Sequence, residues 1–341
     1  MNMTKLTNWI EHNQLKTFFI LTFSITWGLG FSFSSVYRGQ FIFMPLTAIA
    51  LCGPALAGII ITMITNTRPK QGTNKVFYSA FIIAWIVCVA VYLTQNRLFF
   101  NNLFPTKLVL VTVIPVAFVI SMAYSRIPNV KSYLISLIRV RLVRKWLIAA
   151  IVFIGGLAPL SFVIGNLLGI QSINDIRLPG SGLTLIGLIA VRFIDQILFF
   201  NATGEEVGWR GFALPRLQAR TSPLMAAFII ALFWAPWHFF LSQAEGAPVL
   251  NCLYWLVKYV GIIIASVFIV WFYNRSQGSI LVAGIAHAAW NTGAAFIPIK
   301  DGLILYPTSF IVVIVMVLVD RMWKKLPSDH PAVYISPLSN A

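Results

Sequence analysis

The chain is poor in charge. Asp, Glu, Lys and Arg together make up 10% of its 341 residues, against about 25% in an average soluble domain. So few charges cannot cover a water-facing surface, which excludes a soluble enzyme. A hydrophobic share of 59% excludes a disordered or fibrous chain. Acid is scarcer than base: nine Asp and Glu stand against 25 Lys and Arg, giving a formal net charge of +16. In a membrane protein such an excess collects in cytoplasmic loops and sets orientation, so no nucleic-acid partner is inferred from it. Cysteine is limited to Cys52, Cys88 and Cys252. Odd in number and set in apolar stretches, they build neither a disulfide framework nor a zinc site. Internal repeats and low-complexity tracts are lacking, as is the ten-residue alternation of a membrane β-barrel.

What the chain has in abundance is long apolar runs. A bilayer-spanning helix needs about 17–25 such residues. Ten runs meet or approach that length: 17–35, 41–64, 78–93, 108–123, 146–170, 183–200, 223–241, 253–273, 280–297 and 303–319. The expected fold class is therefore an all-α polytopic membrane protein with about ten transmembrane helices. Threading the chain from an inner N-terminus puts eighteen Lys and Arg on inner segments and five on outer ones, with Arg192 and Lys258 inside helices. That bias predicts a multi-pass protein of the plasma membrane with both termini cytoplasmic. The basic stretch 131–145, interleaved with Leu, Ile and Val, reads as an interfacial amphipathic linker. Three regions follow: an N-terminal membrane region, 1–145, a second membrane region, 146–319, and a cytoplasmic tail, 320–341, expected to be disordered.

The unusual chemistry lies in the second region. His238 and His287 fall inside apolar runs, and Glu205 and Glu206 sit just beyond the sixth run. Ionisable groups at membrane depth are costly and normally face a cavity or a partner. Residues equidistant from a hairpin turn share a depth, and the turn near Arg220–Pro223 lies midway between Glu205 and His238. With the sixth helix running on past Phe200, those two side chains face each other. Asn291 follows His287 at i+4, on the same helix face, and Glu206 and Arg210 have the same spacing, suited to an ion pair. One cavity can thus collect a carboxylate, two imidazoles and an amide. A carboxylate with an imidazole can hold and deprotonate a water, and a second imidazole with an amide can donate to a developing oxyanion. Two His and a Glu also form the ligand set of a catalytic zinc site, so Zn is a possible cofactor, with Glu205, His238 and His287 as ligands.

These residues stand in three ordered motifs. Glu205-Glu206-Val207-Gly208-Trp209-Arg210 matches E-E-x-x-x-R, and Trp234 to His238 matches F-x-x-x-H with Trp in the Phe position. His287 followed by Asn291 is the third. In these the chain resembles the CPBP family of intramembrane proteases, which includes type II CAAX prenyl endopeptidases and bacteriocin-processing or immunity proteins. The resemblance spans roughly residues 183–297. It implies that Glu205 and His238 activate water, that His287 and Asn291 form an oxyanion hole, and that Glu206 and Arg210 support the site. It implies an intramembrane endopeptidase of metallo- or glutamate type, with membrane lipid and a peptide or membrane-protein substrate as partners. A non-catalytic scaffold or immunity protein on the same fold is the competing expectation. A transporter is disfavoured by the lack of an inverted repeat.

Overall fold

A computed structural model describes residues 3–34, 44–65, 74–172, 178–244, 251–297 and 304–334. Arg38, Arg68, Lys70, Arg177 and Lys300, counted in the charge balance, lie outside the described residues, as do the last seven residues. The first half contributes α1 (Met3–His12), α2 (Gln14–Ser34), α3 (Met44–Leu51), α4 (Gly53–Ile64), α5 (Asn74–Phe100), α6 (Thr106–Thr112), α7 (Ile114–Met122) and α8 (Pro128–Leu134). The second half contributes α9 (Arg144–Gly155), α10 (Leu157–Leu167), α11 (Gly182–Asp195), a π-helix (Gln196–Ala213) and α12 (Leu214–Gln218). It ends with α13 (Pro223–Trp237), α14 (Phe239–Ala244), α15 (Cys252–Arg275), α16 (Ile280–Phe296) and α17 (Leu305–Val319). No strand occurs among the described residues, as expected where lipid leaves a chain only its own backbone to bond with.

The protein is an all-α integral membrane protein. Each of the ten apolar runs is helical over its described part, but length and composition alone give a smaller number of crossings. Among the described residues, five helices are long and apolar enough to span a bilayer, and the pair Pro45–Leu51 and Gly53–Ile64, bent by 64°, makes a sixth if it counts as one broken span. Pro54 in the first turn of α4 explains the bend, because it supplies no N–H to continue the preceding helix. Thr106–Met122, Ile280–Phe296 and Leu305–Val319 are shorter apolar helices. The sixth run differs most from expectation. It continues from Gly182 without interruption to Gln218, so the polar sequence Asn201–Arg210 lies inside the helix bundle, with Asn201, Glu206 and Arg210 fully buried.

Two close approaches hold this helix in the centre. It packs on α4 from the first half and on α16 from the second. A Cβ at Gly208 would overlap the backbone of Pro54, and one at Gly284 would overlap Ala202. Small residues at such crossings let helix backbones approach in the absence of a hydrophobic driving force. One buried apolar cluster consequently joins Phe18, Ile59 and Val119 to Trp209, Phe212, Phe268 and Val282. Outward-facing apolar residues such as Ile83, Val152, Leu183 and Ile311 stay exposed for lipid.

The segment after Val319, expected to be a disordered tail, is ordered as far as Tyr334. The Tyr334 N–H donates to the Pro215 carbonyl at 3.0 Å, and the Gln218 amide donates to the Ala332 carbonyl at 2.9 Å. The Arg216 guanidinium lies between the rings of Phe212 and Tyr334, 3.6 and 3.9 Å from their centroids. These contacts cap the end of the long helix, which hydropathy could not anticipate because the partners are polar groups distant in sequence.

Candidate functional site

Glu205 and Glu206 both lie in the π-helix. Its i→i+5 bonding runs over 18 residues, whereas π geometry usually lasts a single turn and marks functional positions. The Thr203 hydroxyl follows the same register, donating to the Leu198 carbonyl, and the Tyr133 hydroxyl from α8 donates to the Val207 carbonyl.

Successive carboxylates on this helix have separate partners. One oxygen of Glu206, Oε1, accepts from Arg210 Nη1 at 3.0 Å and from His287 Nδ1 at 2.8 Å. The Arg210–Glu206 pair is completely buried. A second guanidinium nitrogen of Arg210 donates to Ser266 Oγ on α15 at 3.3 Å. Breaking a pair like this by removing one member leaves an uncompensated buried charge, so its first role is to hold α15, α16 and the π-helix together.

Glu205 is oriented from α13. Trp234 donates its indole N–H to Glu205 Oε2. The same ring lies 4.4 Å from the Arg210 guanidinium and meets the His287 ring edge-on at 5.0 Å. His238 Nε2 stands 4.0 Å from Glu205 Oε2. That distance is too long for a direct hydrogen bond and of the order that one water spans. The end of α13 sets the His238 ring. The His238 N–H tightens onto the Ala235 carbonyl, which leaves the Trp234 carbonyl to His238 Nδ1 at 2.8 Å. A carbonyl only accepts, so Nδ1 carries the proton and Nε2 presents its lone pair toward Glu205.

The geometry thus brings Glu205, His238, Glu206, Arg210 and His287 into one contiguous polar cluster. Asn291, one turn beyond His287, donates to Gln196 Oε1 at 3.0 Å, at the start of the π-helix. Sequence reasoning expected Glu205 to be the free carboxylate and Glu206 the paired one, but not that His287 bonds Glu206. It also missed Trp234, Gln196 and Ser266. A signal for Trp234 was present in the motif itself: a Trp in the Phe position keeps the ring and adds a donor. Gln196 and Ser266 carry no comparable signal, being ordinary polar residues on helices remote in sequence.

Among the described residues no three His, Cys, Asp or Glu side chains converge as a ligand set. Of the candidates for zinc, His287 is engaged through Nδ1 by Glu206 and Glu205 Oε2 by Trp234. A catalytic zinc needs three protein ligands at about 2 Å with a fourth position open.

Comparison with known proteins follows the same residues. Residues 182–293, the segment holding all three motifs, match the family described as "Type II CAAX prenyl endopeptidase Rce1-like". The chain is also 25% identical over 318 residues to a protein named "CAAX prenyl protease 2" from Methanococcus maripaludis, covering 90% of this chain and 94% of that one. The alignment therefore runs through the first half as well. With the motifs in order and the buried glutamates on one central membrane helix, these likenesses support a protease of the CPBP family.

Proposed function

We propose that the chain hydrolyses a peptide bond with a water held between Glu205 and His238. The observation that carries this reading is the 4.0 Å separation of Glu205 Oε2 and His238 Nε2, two acceptors facing one another in a buried site. A water between them donates one O–H to each. Glu205 then takes a proton as the water oxygen bonds to the scissile carbonyl carbon. The same proton passes to the amide nitrogen as the C–N bond breaks, releasing an amine and a carboxylic acid that gives up its own proton to solvent on leaving. No step is routed through a metal, so the reading is a glutamate-type rather than a metallo mechanism.

His287 and Asn291 serve the carbonyl oxygen. With Nδ1–H given to Glu206, Nε2 is the ring nitrogen of His287 left for the substrate carbonyl. The oxyanion then develops against the His287 ring and the Asn291 amide.

The substrate class is a peptide or membrane-protein segment reaching the site from the bilayer. The relative's name supports a CAAX-type, prenylated C-terminus. The charge bias supports a plasma-membrane protein with both termini and the cleavage on the cytoplasmic side. The test is turnover by the purified full chain in lipid nanodiscs, using one CAAX peptide with and without a farnesyl group and the Glu205→Gln variant alongside. Cleavage by the wild type and none by Glu205→Gln is the expected result. Equal cleavage by both would remove the water-activation reading. Equal use of both peptides would remove the prenyl requirement. If neither peptide is cut while Glu205→Gln leaves the cellular phenotype intact, a scaffold takes the protease's place.

A further inference from the structure

Five helices begin or end around one cavity of about 880 Å³. It lies where α9, α13 and α16 start and where α15 and α17 finish, with its floor made by the turns between them and by residues 320–326. Six cations line it: Arg139, Lys145, Arg275, Arg321, Lys324 and Lys325. The sole carboxylate on its wall, Asp320, is taken by Arg275. Among the described residues, none of the other five cations is paired with a carboxylate.

Two of the turns are built at a steric cost. Among the described residues, four non-glycine residues have positive φ: Asn101, Asn102, Gln277 and Arg321. Asparagine tolerates that region, whereas long side chains do not favour it. Gln277 (φ 59°) and Arg321 (φ 48°) both line the cavity. Each occupies the left-handed position after a helix that glycine ordinarily takes. The bonds are those of the paired helix-end motif: Met322 N–H to the Val317 carbonyl at 3.0 Å with Arg321 to Leu318, and Gly278 to Tyr273 with Gln277 to Asn274. Holding an arginine where glycine is conformationally cheaper points to a use for its side chain.

The surroundings identify the ligand. Trp146 and Trp271 form part of the wall and pack edge-on at 5.8 Å, with Lys145 over the first ring. Tryptophan beside Lys and Arg at the ends of spans marks headgroup depth. Ile148 and Val152 follow Lys145 on the same face of α9 and are 64% and 68% exposed, an apolar track leading from the cavity along the bilayer. We infer that this cavity binds the phosphate headgroup of an anionic phospholipid, with the acyl chains running down the α9 face. Basic pockets between membrane helices recognise such headgroups.

The test uses the full chain in dodecyl maltoside micelles, titrated with tetraoleoyl cardiolipin and, separately, with dioleoyl phosphatidylcholine. Binding is read by native mass spectrometry and by the thermal unfolding midpoint. Cardiolipin should bind and raise the midpoint, and phosphatidylcholine should not. Arg321→Gly should weaken cardiolipin binding about fivefold, the equivalent of roughly 1 kcal/mol for one cation near a membrane surface. In lipid-free micelles the same variant should keep or raise the midpoint, because glycine suits the left-handed position. That keeps loss of binding distinct from loss of fold. Removing two cations outside the cavity, Lys5→Gln with Lys131→Gln, should leave binding within about twofold. Arg321→Gly binding as tightly as wild type would overturn the assignment. So would an equal loss in the Lys5/Lys131 variant, which would mean diffuse surface charge. Displacement of cardiolipin by millimolar inorganic phosphate would make the cavity a soluble-anion site and overturn its assignment to lipid.

Discussion

His287 on α16 and Arg210 on the π-helix share one carboxylate oxygen, Oε1 of Glu206, at 2.8 and 3.0 Å. The Glu206–Arg210 pair is therefore committed to architecture before any substrate arrives, and variants of this trio should separate from variants of Glu205.

Arg210→Ala strands Glu206 in a fully buried position. It should cost about 3–5 kcal/mol of stability, seen as a lower unfolding midpoint and a lower yield of folded protein. Glu206→Gln combined with Arg210→Met should recover much of that loss without restoring turnover, because His287 then lacks the carboxylate that orients it. Thermal unfolding and peptide cleavage of the single and combined variants check both halves.

Glu205→Gln and His238→Ala should fold normally and lose turnover by about 10²–10⁴-fold, the range for removing a general base. Single-turnover cleavage by purified variants is the measurement. A His238→Ala enzyme with wild-type rate would assign water activation to Glu205 alone.

Asn291→Ala should lower kcat about 10²–10³-fold with little change in KM, since an oxyanion donor acts mainly as charge develops. Gln196→Ala removes the acceptor that orients Asn291 and should cost less, because the amide can still turn to the carbonyl. Steady-state kinetics on both variants tests the ordering.

Trp234→Phe deletes the N–H given to Glu205 while keeping a ring against Arg210 and His287. A hydrogen bond to a charged group is worth about 1.5–3 kcal/mol, so kcat should fall by roughly tenfold or somewhat more, with stability little changed. Trp234→Ala should in addition lower the unfolding midpoint. Comparing kcat with the midpoint across the two variants separates the donor from the ring.

Gly208→Ala should destabilise by about 1–3 kcal/mol through overpacking, because its Cβ would meet the Pro54 backbone. Ser in place of Ala should do no better, whereas an alanine at Gly187, which has open space around it, should be tolerated. Unfolding midpoints of the two alanine variants decide this.

Much of this arrangement was legible in the sequence. Apolar runs located the helices because lipid exposure demands continuous hydrophobicity, and the turn at Arg220–Pro223 set Glu205 opposite His238 by counting alone. The i+4 spacing of Glu206 and Arg210 anticipated their ion pair. The long reach of the central helix was legible only as a condition of that hairpin argument. Hydropathy ends the run at Phe200, but the polar groups that follow are covered by protein rather than lipid. Nor could spacing reveal that His287 bonds Glu206, since a choice between adjacent carboxylates depends on the rotation of α16 about its axis. The fold of residues 320–334 was hidden for a related reason: Pro, Ser and Asp have little local preference for order, and their partners lie on α12 and at the end of α15.

The capping of α12 by the segment around Ala332 and Tyr334 sets an order of assembly. Gln218 and Ala332 are 114 positions apart in the chain, and α13 to α17 are all made between them. During synthesis, the helix that carries both glutamates must sit in the bilayer with its end unfinished until those five helices have emerged. Only then do Tyr334 and Ala332 reach Pro215 and Gln218. The site helix is thus among the last parts of the molecule to be locked, and a hydrolytic centre stays incompletely assembled while the remaining helices are still being inserted beside it.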